Sequence, residues 1–67
     1  MALAGLATKP DGSGGIYTMR WYEDQTAELW YRPAGGQARC AVGRQVMWKV
    51  RAAMAERGIT EDDWTPN

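Results

Sequence analysis

Polar and apolar positions alternate in three short runs between residues 16 and 42. In 16–22, Tyr17, Met19 and Trp21 take every second position, the spacing of a strand with one buried face. The second run covers 27–32 and the third 38–42. Gly35 and Gly36 stand between them, and a two-residue hairpin turn needs the positive φ that glycine adopts without steric cost. Counting outward sets Arg32 opposite Arg39, Tyr31 opposite Cys40, Trp30 opposite Ala41 and Leu29 opposite Val42. Between the first two runs, a loop of Asp24, Gln25 and Thr26 sets Trp21 opposite Leu29 and Met19 opposite Tyr31. An even-length loop would instead bring Trp21 beside Glu28, so the odd one is preferred. The predicted sheet buries Tyr17, Met19, Trp21, Leu29, Tyr31, Cys40 and Val42. Its open face carries Thr18, Arg20, Tyr22, Glu28, Trp30, Arg32, Arg39 and Ala41. Arg32 directly against Arg39 is unfavourable unless an anion or Glu28 sits close by.

The period then changes. In 44–57, Val46, Met47, Val50, Ala53 and Met54 recur at steps of three and four, which predicts a helix with one apolar face. Gly58 stands where a left-handed C-terminal residue is expected, and Ile59 after it would pack back on Met54. Gly43 marks the break before the helix and is a fair N-cap. A rival parse starts the helix near Gln37, drops the third strand and leaves Gly43 inside a helix, at a cost of ~1 kcal/mol relative to Ala. The clean sorting of Cys40 and Val42 favours the strand.

Residues 1–15 read as a flexible arm, since Pro10, Asp11, Gly12, Ser13, Gly14 and Gly15 have the composition of a linker. Residues 60–67 read as an acidic tail, in which Thr60, Glu61, Asp62, Asp63 and Trp64 have the form of a capping box. The predicted fold is therefore α+β: a three-stranded antiparallel meander (about 16–22, 27–32, 38–42) packed on one C-terminal helix (about 44–57) within a domain of residues 16–59.

A chain of 67 residues is one domain. At this size only ~60% of the unfolded surface is buried, so the core is small. One cysteine excludes an internal disulfide, and the absence of His removes the usual zinc sets. Cys40 is then expected as a small buried hydrophobe. No nucleophile–base pair, metal cluster or phosphate loop is present, so neither catalysis nor a cofactor is expected. The formal net charge is zero, but residues 20–51 hold six basic and three acidic residues. No apolar run reaches the length of a membrane span, and the first residues lack the basic start of an export signal; a cytoplasmic location is expected.

Four Trp and three Tyr are more than a core this small can enclose, and that directs attention to surfaces. Arg20, Tyr22, Trp30, Arg32 and Arg39 interleave charge and rings on the open sheet face. Arg44, Trp48 and Arg51 share the outer helix face. These eight are the candidate partner-binding residues, because Trp and Arg are enriched in binding hot spots. A solvated face with Arg20 stacked on Trp30 is the plainer alternative for the sheet, and cover by Ile59 or Trp64 is the plainer alternative for Trp48. The strand-strand-strand-helix layout over residues 16–58, with Arg and Trp on the open face, resembles the DNA-binding domains of AP2 proteins and integrase arm-binding domains. That resemblance implies a sheet that enters the major groove; the zero net charge departs from it, and no residue roles carry over. The first expectation for function is a small non-catalytic protein-binding module, an inhibitor or accessory factor of a larger protein or complex. DNA or RNA binding through the sheet is the alternative, and a homodimer through the sheet face or an edge strand is a third.

Overall fold

The computed structural model describes residues 3–60 and the backbone of residues 65–66. Its elements are β1 (Leu3–Pro10), β2 (Ile16–Tyr22), β3 (Thr26–Arg32), β4 (Arg39–Val46), α1 (Met47–Glu56) and β5 (Thr65–Pro66). The strands form one antiparallel sheet in the order β4-β3-β2-β1-β5, and α1 packs on β3 and β4. The class is α+β, as the alternation predicts, but the sheet is larger than a three-stranded meander. The acidic cluster of Glu61, Asp62 and Asp63 lies outside the described residues, as does Trp64.

The first correction concerns the expected arm. Leu3–Pro10 is a strand, paired with β2 from Leu3↔Tyr22 to Pro10↔Ile16. Gly5, on its helix side, is small because Trp21 lies across it. A Cβ built on Gly5 would stand 2.2 Å from a Trp21 ring carbon, so only glycine admits the ring there. The expected linker is an ordered turn: Asp11 N–H donates to the Gly15 carbonyl at 3.0 Å.

The second correction is register. β2 and β3 pair as Trp21↔Ala27, Met19↔Leu29 and Tyr17↔Tyr31, two residues away from the predicted alignment. A two-residue slip keeps every side chain on its own face, so the sorting into buried and open sides survives. The connecting loop is Glu23, Asp24 and Gln25, with Gln25 N–H donating to the Tyr22 carbonyl at 3.1 Å and Gln25 at φ 67°. This is the three-residue hairpin whose last position is left-handed.

The third correction is β4, which runs to Val46 and carries two irregularities. Trp30 pairs with Cys40 and Leu29 with Val42, which leaves Ala41 as an extra residue. Ala27 pairs with Gln45, so Glu28 faces both Gly43 and Arg44. One extra residue inverts the faces of everything beyond it. Cys40 therefore shares the side of Trp30 and is exposed, not buried. Arg39 pairs with Tyr31 and Arg32 with Ile16, which removes the expected like-charge opposition. The turn before β4 closes through Gly36 N–H to the Pro33 carbonyl at 3.0 Å, with Gly35 at φ 69°, rather than through a Gly35-Gly36 central pair. Along the outer edge of β4, the two bulges and the charges of Arg39 and Arg44 make a poor template for strand addition.

The helix begins three residues later than predicted. Gly43 belongs to β4, and the N-cap is Val46, which offers no side-chain bond. Instead Met47 N–H donates to the Gln25 carbonyl at 2.9 Å. The C-terminal end is as predicted: Ile59 N–H reaches the Met54 carbonyl and Gly58 N–H the Ala55 carbonyl, both at 3.0 Å, with Gly58 at φ 75°. Ile59 joins Met19, Ala27, Leu29, Val50 and Met54 in the core, with Tyr17, Trp21, Val42 and Met47 half-buried around it.

Gly5→Ala should destabilise the fold by about 1–3 kcal/mol, since the Trp21 ring must leave its seat. Gly43→Ala meets nothing within 4 Å and should fall within about 0.5 kcal/mol of the parent. Urea midpoints of the two variants check this; equal midpoints would mean that Trp21 does not rest on β1.

Candidate functional site

Strand alternation places Arg20, Tyr22, Trp30 and Arg32 on the side of the sheet away from α1, with Thr18, Thr26 and Glu28 between them. The second irregularity adds Arg44 to this face. Most of these groups are already engaged with one another. The Arg20 guanidinium stands 5.5 Å from the Trp30 ring centroid, a cation–π stack. Tyr22 Oη donates to Glu28 Oε1 at 2.7 Å, and that bond raises the Tyr22 pKa above its ordinary value. The Arg44 guanidinium lies 3.9 Å from the Tyr22 ring centroid, donates from Nε to Thr26 Oγ1 at 2.8 Å, and pairs with Asp24 Oδ2 at 3.2 Å. Asp24 also accepts from the Thr26 hydroxyl and N–H, and the hydroxyl bond is the main reason its pKa is lowered. Arg32 is exposed and makes no ion pair among the described residues. Trp30 Nε1 is closed off from solvent without a hydrogen-bond partner among them, an arrangement that costs ~1–3 kcal/mol.

Arg39 does not join this face. It lies on the helix side, its guanidinium 5.9 Å from the Tyr31 ring centroid. Tyr31 in turn stacks on Tyr17, with ring centroids 4.7 Å apart at 44°. A cleft of about 490 Å³ opens here, lined by Tyr17, Tyr31, Arg39, Cys40, Ala41 and Arg57. The Tyr31 hydroxyl donates to Asp11 Oδ2 at 2.5 Å. The other carboxylate oxygen of Asp11 accepts from Ser13 N–H at 2.8 Å, Ser13 Oγ at 2.7 Å and Gly15 N–H at 3.1 Å. Asp11 thus fastens the β1–β2 turn to β3.

The outer side of α1 is the third surface. Trp48 is 66% exposed, with Lys49 Nζ 5.6 Å from its ring centroid. Arg51, Ala52 and Ala55 are exposed on the same helix, and Val46 is 39% exposed just before it. Ile59 does not cover Trp48; it is spent on the core.

The eight candidate residues therefore fall on three surfaces: Arg20, Tyr22, Trp30, Arg32 and Arg44 on the open sheet face, Arg39 on the opposite side, and Trp48 and Arg51 on α1. The sequence reading missed Asp11 and Arg57. The Asp-Gly pair at 11–12, followed after Ser13 by Gly14 and Gly15, marks a turn there but not the partner of Asp11. Among the described residues, no three of His, Cys, Asp and Glu gather to hold a metal, and no helix is long and apolar enough to cross a membrane. Compared with protein-family models, curated proteins and solved structures, the chain matches none.

The Tyr31 hydroxyl, then the Ser13 N–H and Oγ, hold the Asp11 carboxyl down from 3.8 to about 2. A carboxylate favoured in the folded state stabilises it above the unfolded pKa, and that contribution is lost as pH falls through the folded value. Its window is therefore about pH 4 down to about 2. Asp11→Asn should melt below the parent at neutral pH, and the gap should close across that window. Thermal melts at stepped pH check this, and a gap independent of pH would remove the charge of Asp11 from the account.

Proposed function

We propose that the protein is a small non-catalytic protein-binding module, an inhibitor or accessory factor of a larger protein or complex, and that it docks through the outer face of α1. The observation that carries this reading is the exposure of Trp48. A tryptophan two-thirds in solvent contributes little to its own fold, yet it offers a partner one of the largest apolar surfaces a side chain has. Val50 and Met54 face inward, while Trp48, Ala52 and Ala55 face out among the charged Lys49, Arg51 and Glu56. The small residues beside Trp48 allow a partner to approach closely, and Lys49 supplies a polar rim of the kind that surrounds hot spots.

DNA or RNA binding by the open sheet face is the second reading, supported by exposed Arg32 sharing that face with Arg20 and Trp30. It has less behind it than the pattern of alternation suggests. Arg39 lies on the other side, and Arg44 is held by Asp24 and Thr26.

Affinity capture from the native host, with and without nuclease, separates the two readings. A nuclease-resistant partner should be retained by the parent and by Arg32→Ala, which changes an exposed side chain of the sheet face. Trp48→Ala should lose it, with affinity lowered at least about thirty-fold and the thermal midpoint unchanged. Partners that stay bound to Trp48→Ala count against docking through α1. Partners lost on nuclease treatment, with a steep salt dependence of duplex binding, favour the sheet.

A further inference from the structure

We propose that the cleft between β4 and the C-terminal end of α1 binds a small molecule that joins an aromatic ring to an oxyanion, phosphate or carboxylate. The site is separate from the outer face of α1.

Charge is the first ground. Two guanidinium groups, Arg39 and Arg57, line one cleft of about 490 Å³, and no carboxylate lines it among the described residues. The nearby Asp11 is already engaged by Tyr31, Ser13 and Gly15. Like charges around one concavity repel, and an anion between them relieves that repulsion. Arginine is suited to the task because its planar fork matches an oxyanion edge to edge. Arg57 commits Nη1 to the Ala53 carbonyl at 2.9 Å, which leaves most of its five donors for a ligand. Arg39 is steadied over the Tyr31 ring at 5.9 Å and makes no ion pair among the described residues.

The helix end is the expected objection. A C-terminus carries partial negative charge, which disfavours an anion. Here those carbonyls are answered internally. Met54 accepts from Arg57 and Ile59 N–H, Ala55 from Gly58 N–H, and Ala53 from the Arg57 side chain. Little of the repulsive field is left uncompensated.

Shape is the second ground. The Tyr17 and Tyr31 rings form one wall, tilted at 44° with centroids 4.7 Å apart, and such a wall takes a flat aromatic body. The volume lies within the usual range for small-ligand pockets, roughly 300–1,000 Å³. A bare inorganic anion would leave that wall unused.

The test is an amide and arginine Nε NMR titration of the full chain with phenyl phosphate, benzoate, inorganic phosphate and phenol. Phenyl phosphate or benzoate should shift the Cys40 and Ala41 amides and the Arg39 and Arg57 Nε signals, and the tighter of the two names the anion. Inorganic phosphate should bind more weakly and phenol not at all. Arg39→Gln should weaken binding about tenfold or more while leaving the rest of the spectrum and the thermal midpoint as in the parent. Trp48→Ala should bind phenyl phosphate as the parent does, so the result is independent of docking through α1. The proposal is overturned by silence at Cys40 and Ala41 up to about 10 mM probe. Equal binding of phenol, unchanged binding in Arg39→Gln, or shifts centred on Arg20 and Arg32 overturn it too.

Discussion

Two extra residues in β4 decide which side chains face the core and which face away. Ala41 has no partner on β3, and Glu28 faces both Gly43 and Arg44. Each insertion inverts the alternation, so the strand changes sides twice along its length. Between the two, Val42 points at Leu29 and helps close the core. Before the first, Cys40 is turned out beside Trp30, and Arg39 is turned towards Tyr31. After the second, β4 feeds directly into α1, whose Val50 and Met54 land against Leu29 and Ala27. A regular β4 would have buried Cys40 and crowded Arg39 against Arg32. The cleft beside Tyr31 and the Arg44 cluster both follow from these two departures from regularity.

The β2–β3 turn makes that arrangement rigid. Gln25 takes a left-handed conformation that usually falls to glycine. In that conformation its carbonyl accepts the first amide of α1, doing for the helix what no side chain at Val46 can do. Its neighbour Asp24 holds Arg44 on β4 and Thr26 on β3. Exposed ion pairs contribute little individually, so Arg44–Asp24 serves mainly to fix geometry. One short turn thereby ties together β2, β3, β4 and the start of the helix. At the other end of the sheet Asp11 plays the matching part, binding its own turn and Tyr31.

What could be read from the chain follows from the range of each signal. The ending of α1 was legible because Gly58 and Ile59 act within a few residues of Met54. The faces of β2 and β3 were legible although their register was not, since a slip of two leaves the alternation intact. β1 was hidden by its own packing: Gly5 is glycine because Trp21, on the next strand, needs the space. Small residues next to a glycine-rich turn look like a linker unless the ring above them is known. Asp11 was hidden because its partner Tyr31 lies twenty residues away. Cys40 was misplaced because a bulge leaves no mark on an alternating pattern. Of the candidate site, the residue types were legible and their grouping was not.

The three described tryptophans set the balance between structure and surface. Trp21 lies on Gly5 and is part of what holds β1 to the sheet. Trp30 is covered by Arg20 and gives up the hydrogen bond of its indole N–H. Both have intramolecular neighbours that account for them, and removing either should disturb the fold. Among the described residues, the charged group stacked on the Trp48 ring is the Lys49 ammonium, and exposed cation–π contacts are worth about 0.5–1 kcal/mol. That is small against the several kcal/mol that a buried aromatic can contribute at the centre of an interface. A chain this short has few large side chains to spare. Trp48 stands on a helix whose two ends are tied, by the Gln25 carbonyl and by the Gly58 ending. If Trp48 is the anchor proposed above, the backbone share of its ordering cost is met by folding, and the exposed side chain has its rotamer to fix on contact.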